Sequence, residues 1–201
     1  MKDVATQMLE RPHLTMPAAE ADWLRSAYEA ADVILEYGSG GSTVMAGEMA
    51  GKTVFSVEND AAWADKMEAW FAAHPAKADL RIVRQDTGKT REWAMPDNTK
   101  KWRKFASYPL EVWTEPDFVQ PDVVLVDGRF RAGCLLACLY MTEKPITVYF
   151  DDYRRRTIYH SVEDFVKPTE IQGRMARFDI EPTTIPRRDL LTIINLLQRP
   201  R

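Results

Sequence analysis

VILEYGSGGSTVMAG, at residues 33–47, is the stretch that decides the fold. Its first five residues form an apolar run typical of a strand, and three glycines in four positions then precede a segment with a helical pattern. Glycine-rich turns between a strand and a helix are typical of nucleotide-binding α/β folds, because glycine lets the backbone approach a ligand closely. The stretch therefore predicts a ligand at this turn and leaves open whether that ligand carries phosphate.

Strand and helix patterns alternate outward from this stretch. Alternation of this kind predicts βαβ units and a parallel sheet, and the continuous apolar character of VILEY and VVLVD fits strands covered on both faces. The predicted strands span residues 33–37, 53–58, 80–84, 123–127, 146–150, 176–180 and 190–197. The predicted helices span residues 17–30, 42–49, 61–74, 133–141 and 158–166.

The connection EPTTIPRRD, which separates the last two predicted strands, is too short and too rich in proline for a helical crossover. We therefore expect these strands to be antiparallel. The predicted fold is α/β: a Rossmann-like, doubly wound, mostly parallel seven-stranded sheet with a C-terminal antiparallel hairpin. We expect one domain over residues 1–201, with an irregular insertion at residues 87–120 that serves as a lid.

The composition excludes several classes of protein. A net charge of −3 over 201 residues argues against a general nucleic-acid binder. No apolar run approaches the roughly 18 residues of a membrane span, and the N-terminus lacks the apolar region of a signal peptide. Cys134 and Cys138 lie four residues apart in an apolar run, as buried thiols do. We expect a cytoplasmic protein with a small-molecule partner and no membrane partner.

Two phosphate-binding motifs fail on order or on composition. Residues 46–53, AGEMAGKT, match a permissive P-loop pattern, but a predicted helix precedes Gly51 and a strand follows it, which inverts the order that a P-loop needs. A dinucleotide fingerprint would use Gly38 and Gly40, yet its third glycine is Thr43. An NAD(P)-dependent oxidoreductase therefore remains an alternative with a weakened motif.

Acidic residues follow or end five of the predicted strands. The carboxyl ends of parallel strands meet at one edge of a sheet, where open α/β folds bind ligands. An acidic edge suits a cationic ligand better than a polyphosphate. These residues are Glu36, Glu58, Asp86, Asp127 and Asp151.

The segments ILEYGSGGST, VEND, QDT and VLVDG together resemble class I S-adenosylmethionine-dependent methyltransferases. The resemblance covers most of residues 31–151 and implies S-adenosylmethionine as methyl donor. It implies that Glu36 fixes the ammonium end directly or through water, and that Gly38 and Gly40 admit the methionyl part. Glu58 would bind the ribose hydroxyls, Asn59 would lie beside the adenine, and Asp86 would accept from the adenine amino group. The implied donor site also includes Ser39, Ser42, Thr43 and Thr87.

The acceptor side has a less specific pattern. The Asn/Asp-Pro-Pro-Tyr/Phe motif of enzymes that methylate amino groups of nucleic acids is absent after the fourth strand. Asp127, Asp151 and Asp152 are instead similar to the acids with which catechol-type O-methyltransferases bind a divalent cation. This similarity implies Asp127 and Asp152 as catalytic residues and all three as ligands of Mg²⁺ or Mn²⁺. The alternative is that Asp127 orders the site and that Asp151 and Asp152 form a solvated turn.

Arginines at the same edge indicate an anionic acceptor, because the guanidinium group matches carboxylate and phosphate oxygens. The candidates are Arg129, Arg131 and Arg154, which could instead pair with the neighbouring acids. The run KKWRKF at residues 100–105 is interpreted as part of a lid rather than as an RNA-binding segment, and His160 as a structural residue rather than a general base.

The predicted function is methyl transfer from S-adenosylmethionine to a small anionic acceptor, with O-methylation favoured over N-methylation. The alternatives are the oxidoreductase and a catalytically inactive nucleoside-binding module of the same fold.

Overall fold

The computed structural model describes residues 10–201, in which nine strands form one seven-stranded and one two-stranded sheet. The two short strands of the small sheet are antiparallel and lie between β3 and β6. The strands are β1 (Val33–Tyr37), β2 (Thr53–Glu58), β3 (Asp79–Arg84), β4 (Thr90–Arg91), β5 (Met95–Pro96), β6 (Val123–Val126), β7 (Ile146–Phe150), β8 (Glu170–Gln172) and β9 (Met175–Ile180).

Six α-helices are present in residues 10–201, together with several 3₁₀ turns. The longest 3₁₀ segment, Thr157–Asp164, occupies the position of the helix predicted at residues 158–166. The α-helices are α1 (Ala18–Ala30), α2 (Gly41–Gly47), α3 (Ala61–Ala73), α4 (Ser107–Leu110), α5 (Arg131–Met141) and α6 (Leu190–Leu197). The first three and α5 agree with the sequence predictions to within three residues at each end.

The main sheet has the order β3-β2-β1-β6-β7-β9-β8, and the first five of these strands are parallel. Strand β9 is antiparallel to both of its neighbours. The strand order reverses direction at β1, so the loops after β1 and β6 flank a crevice at the carboxyl edge of the sheet. Open α/β folds bind their ligands at such a switch point.

The core of the sheet is apolar on both faces. Leu35 of β1 lies between Phe55 of β2 and Val124 of β6 on one face, and Ile34 lies between Val54 and Val123 on the other; all six side chains are buried. Helices therefore cover both sides, as the continuous apolar strands predicted. The α/β, Rossmann-like, mostly parallel seven-stranded sheet with a terminal antiparallel hairpin is confirmed.

The hairpin consists of different residues from those predicted. Strands β8 and β9 form it, whereas Leu190–Leu197 is the helix α6 and not a strand. The apolar run LLTIINLL is short enough to satisfy either period, and leucine favours helices. Ile193 and Leu196, three residues apart, are buried against the core, while Leu191 is exposed. Burial of one helical face therefore favours a helix over a strand in this segment.

The segment between β3 and β6 adds no strand to the main sheet. Its second half is firmly packed, because Tyr108, Val112 and Trp113 are buried in the core. The Tyr37 hydroxyl donates to the Pro109 carbonyl at 2.6 Å and accepts from Trp113 Nε1 at 2.7 Å. The exposed indoles Trp93 and Trp102 belong to the first half, which leaves that half as the candidate lid.

Within residues 10–201 no helix has both the length and the apolar character that crossing a lipid bilayer requires.

Candidate active site

The glycine-rich loop after β1 lies against the loop after β6. Gly38 has a φ of +99°, and a β-carbon there would come within 2.7 Å of the Gly128 α-carbon. A side chain at either position would separate the two loops, so glycine is required on steric grounds. The Tyr108 hydroxyl also lies against Gly128, where a β-carbon would clash with it. These contacts bring the two loops and the insertion together.

Glu36 is buried inside the loop and has no accessible surface. Its carboxylate accepts hydrogen bonds from the Tyr28 hydroxyl at 2.8 Å, the Ser56 hydroxyl at 3.1 Å and the Thr43 hydroxyl. Burial raises the pKa of Glu36, and the bonds from Thr43 and Tyr28 oppose that rise. Three hydroxyl groups therefore engage the Glu36 carboxylate, and its contact with the ammonium end of the donor, directly or through water, stays a prediction.

Thr43 explains why the third glycine of a dinucleotide motif is missing. Its hydroxyl donates to Glu36 and accepts from the Gly40 N–H at 2.9 Å. The threonine therefore connects the start of α2 to the buried acid of β1. Ser42 is buried beside it, and the Ser39 hydroxyl lies 2.7 Å from that of Ser56.

Glu58, at the end of β2, orients the turn that follows it. One carboxylate oxygen accepts the backbone N–H groups of Asn59 at 2.8 Å and Asp60 at 2.7 Å, and the other accepts that of Ser39 at 3.2 Å. Burial raises the pKa of Glu58, and these backbone bonds oppose the rise. Glu58 therefore connects the glycine loop to the end of β2. The oxygen that accepts from the Ser39 N–H makes a long, weak hydrogen bond.

Asn59 has an unsatisfied acceptor. Its Nδ2 donates to the Thr87 hydroxyl at 2.8 Å and to the Ala94 carbonyl at 2.9 Å. Its Oδ1 is buried, and no donor in residues 10–201 reaches it. An orphaned buried acceptor costs roughly 1–3 kcal/mol, so a ligand N–H at this place would stabilise the folded protein. Trp93 and Ala94, in the adjoining β4–β5 turn, both have φ near +60°.

Asp86 faces the insertion. Its carboxylate accepts from Lys101 at 2.5 Å and from Lys104 at 3.3 Å. The hydrogen bond from Lys101 lowers the pKa of Asp86 to about 2. The carboxylate predicted to accept from an adenine amino group is therefore engaged by two lysines of the KKWRKF run, Lys101 and Lys104.

The acidic residues after β6 and β7 are paired with arginines. Burial raises the pKa of Asp127 to about 7, and Arg131 opposes that rise. Asp152 has a left-handed backbone, with a φ of +59°. The nearest pairs are Asp127–Arg131 at 2.9 Å, Asp151–Arg174 at 2.6 Å and Asp152–Arg156 at 2.7 Å.

These carboxylates do not fit a divalent cation. A hard cation needs several free oxygen ligands, but both Asp151 oxygens accept from Arg174, at 2.8 and 2.6 Å. No three His, Cys, Asp or Glu side chains are grouped for metal binding in the described part of the chain. The metal set predicted from Asp127, Asp151 and Asp152 is therefore not formed, because arginines already neutralise these acids.

The three arginines predicted to bind an acceptor differ in their surroundings. Arg131 is buried and donates to the carbonyls of Gly128, Asp151 and Asp127, so its guanidinium is occupied and stabilises the edge. Arg154 is exposed. Arg129 is half-buried, and its Nε has no acceptor within residues 10–201. Arg129 is therefore the half-buried one of the three whose guanidinium keeps an unpaired Nε in residues 10–201.

His160 has a structural position. Its ring stacks on Tyr153 with the ring centroids 4.7 Å apart, and its Nε2 lies 3.1 Å from the Tyr153 carbonyl oxygen. Cys134 and Cys138 are buried free thiols, as predicted. Sequence reasoning missed Tyr28 and Arg174, since neither lies in a motif. Ser56 could have been found, because a polar residue inside an apolar strand indicates a buried hydrogen bond.

The chain is similar to several solved structures of methyltransferases. A solved structure of a methyltransferase-like protein from Silicibacter pomeroyi DSS-3 is 50% identical, with a TM-score of 0.90 over 94% of this chain and 99% of its own. An O-methyltransferase of tomaymycin synthesis from Streptomyces achromogenes, solved with S-adenosylmethionine, is 15% identical, with a TM-score of 0.60 over 91% and 92%.

An O-methyltransferase from Bacillus cereus, solved with S-adenosylhomocysteine, is 12% identical, with a TM-score of 0.57 over 88% of this chain and 86% of its own. These last two likenesses concern the fold alone. No protein-family model and no curated protein matches the sequence.

Proposed function

Because the chain belongs to the class I S-adenosylmethionine-dependent methyltransferases, we propose that it transfers a methyl group to an oxygen atom of a small anionic acceptor. The observation that supports this best is the edge formed by Gly38, Gly128, Glu58 and Asn59, at the switch point of the sheet. When bound there, S-adenosylmethionine supplies an electrophilic methyl group on a sulfonium centre.

The residues of this edge fit the donor. Glu58 would accept from the ribose hydroxyls, and the orphaned Asn59 Oδ1 would accept from the adenine amino group, which takes the role expected of Asp86. Gly40 leaves the backbone open to the methionyl part, since a β-carbon there would meet nothing within 4 Å, whereas the missing side chain of Gly38 lets the loop after β6 approach. Glu36 would act indirectly: it accepts hydrogen bonds from Thr43 and Ser56 and so fixes the glycine loop that contacts the donor.

Asp127 is the proposed proton acceptor. It directly follows Val126, the last residue of β6, and precedes Gly128, which contacts the glycine loop, so its carboxylate would lie near a hydroxyl oriented toward the methyl group. A base whose pKa is raised toward 7 is suited to proton transfer at neutral pH. Asp152 is paired with Arg156 and Arg131, and we assign it an orienting role rather than a catalytic one.

The proposal includes no metal ion, because the arginine pairs of Asp127, Asp151 and Asp152 do not fit one. We also propose that residues 1–201 form one domain, that the protein lies in the cytoplasm, and that residues 87–120 lie beside the acceptor pocket. Residues 1–9 of that domain lie outside the described residues.

Calorimetry with S-adenosylhomocysteine tests the donor site. We expect saturable binding at one site, no binding of NADH, and the same affinity with EDTA or with added Mg²⁺. Asn59→Ala should weaken the affinity by roughly tenfold, because one buried hydrogen bond is lost. Asn98→Ala, an exposed asparagine of the insertion, is the matched control. Absence of heat at high protein concentration, or binding of NADH instead, would contradict the proposal.

A further inference from the structure

One half-buried positive charge at the carboxyl edge of β6 and β7 has no counter-charge. Three carboxylates there are matched by three arginines, in the pairs Asp127–Arg131, Asp151–Arg174 and Asp152–Arg156. Arg129 is a fourth arginine at the same edge. No carboxylate in the described part of the chain pairs with it, and its buried Nε has no acceptor there.

The surroundings of Arg129 supply no negative charge. The titratable groups that act most strongly on it are Arg131, Tyr159, Tyr108 and Arg156, which are guanidinium groups and phenols. Burial lowers the pKa of Arg129, and the charge of Arg131 lowers it further. A half-buried guanidinium among other cations is costly unless a ligand compensates it.

The position of Arg129 connects it to the donor loop. It directly follows Gly128, whose backbone packs against Gly38, and the Tyr108 hydroxyl covers the same glycine. A ligand group on Arg129 would therefore lie between the loop proposed for the methyl donor and the packed half of the insertion.

We infer that the Arg129 guanidinium binds a carboxylate or phosphate group of the methyl acceptor. The fork of Nε and one terminal nitrogen matches two oxygens of such a group, which satisfies the orphaned Nε–H. Arg131 is excluded from this role because its donors are taken by backbone carbonyls. The inference rests on the proposed function for the identity of the ligand, but anion binding is measurable without methyl transfer.

The direct test is the NMR signal of the Arg129 Nε–H group. The protein is loaded with S-adenosylhomocysteine and titrated with inorganic phosphate and, separately, with sodium acetate. The signal is assigned by its loss in Arg129→Lys. We expect one of the two anions to shift it saturably, and the anion that does so distinguishes a phosphate from a carboxylate. Arg129→Gln should abolish saturable binding, whereas Arg25→Gln, which removes an exposed arginine on α1, should not.

Two outcomes would overturn the inference. One is an Arg129 signal that neither anion moves; the other is equal loss of anion binding in the Arg25 control. Melting temperature and S-adenosylhomocysteine affinity establish that each variant is folded. If Arg129→Gln does not fold, Arg129→Lys serves instead, and its point charge should bind the anion several-fold more weakly.

A labelled-methyl assay adds a kinetic test. With an acceptor that carries the anion, Arg129→Gln should raise KM by roughly tenfold or more and leave most of kcat, because a charge-assisted bond to the bound substrate is lost. A loss of kcat with unchanged KM would contradict the inference. Anion binding at Arg129 without any binding of S-adenosylhomocysteine would contradict the proposed function and leave the anion site of Arg129 intact.

Discussion

At the residue scale, two glutamates that look alike in the sequence have different tasks. Glu36 is enclosed by the hydroxyls of Tyr28, Thr43 and Ser56 and holds the glycine loop. Glu58 lies at the carboxyl edge of the sheet and accepts only backbone N–H groups, one of them at 3.2 Å. The difference follows from position, since both acids are buried but the first lies within a central strand and the second ends a strand.

The raised pKa of Glu58 predicts a pH dependence of donor binding. The folded protein protonates this acid at a pH above its ordinary value of 4.5, and a protonated carboxyl is a poorer acceptor for ribose hydroxyls. Calorimetry in a pH series should show the affinity for S-adenosylhomocysteine falling as the pH drops into the acidic range. Glu58→Gln should bind roughly ten- to a hundredfold more weakly and without this pH dependence.

The same shift has the opposite sign for stability. Because the folded pKa of Glu58 lies above the unfolded one, its contribution to stability is full below pH 4.5 and is lost as the pH rises through the folded pKa. Donor binding and stability therefore respond oppositely to acid at this residue. An unchanged pH dependence in Glu58→Gln would assign the titration to another group.

At the element scale, α6 shows how packing selects between a strand and a helix. The helix lies on α5 at Gly133, where a β-carbon would come within 2.9 Å of the Leu197 α-carbon. Backbone contact this close needs glycine, and the buried pair Ile193 and Leu196 completes the interface. Neither feature can be read from LLTIINLL, since the partner surface lies more than 50 residues away.

Gly133→Ala tests this contact, because helix propensity and packing predict opposite signs. Propensity alone would stabilise α5 by roughly 0.5–1 kcal/mol. The clash with the α6 backbone should instead destabilise the protein by about 1–3 kcal/mol, measured by chemical denaturation. Leu191→Ala, on the exposed face of α6, should change stability by less than about 0.5 kcal/mol. A stabilised Gly133→Ala variant would contradict the packing.

At the scale of the whole molecule, segments distant in sequence stabilise the carboxyl edge of the sheet through ion pairs and hydrogen bonds. Arg174, in the turn between β8 and β9, pairs with the buried Asp151 at the end of β7 and connects the terminal hairpin to the parallel sheet. Glu20 of α1 accepts the Arg174 backbone N–H at 2.9 Å, which fixes the turn from the other side. The hairpin therefore supports the site as well as completing the sheet.

A double-mutant cycle measures this connection. Arg174→Gln leaves the Asp151 carboxylate buried without a counter-charge and should cost about 3 kcal/mol of stability in denaturation experiments. Adding Asp151→Asn should recover part of that cost, because the unpaired charge is removed. Arg177→Gln breaks the more exposed pair with Asp179 and should cost less than about 1 kcal/mol. Simple additivity of the first two changes would rule out the coupling.

The sequence by itself determined the parallel sheet, the switch-point loop and the acids at the strand ends. These features depend on local periodicity and on the fact that parallel strands bring their carboxyl ends to one edge. Gly38 and Glu58 could therefore be named as donor-site residues before any coordinates. Their roles toward a ligand remain predictions for the experiments above.

Only the tertiary structure decided which charges are paired and which apolar run forms a helix. Asp127, Asp151 and Asp152 suggest a metal site in sequence, but three arginines meet them in space, one of them from the terminal hairpin. Arg129 differs from its neighbours through its lack of a partner in residues 10–201. Charge pairing and helix packing depend on contacts between segments far apart in the chain, and no local pattern records them.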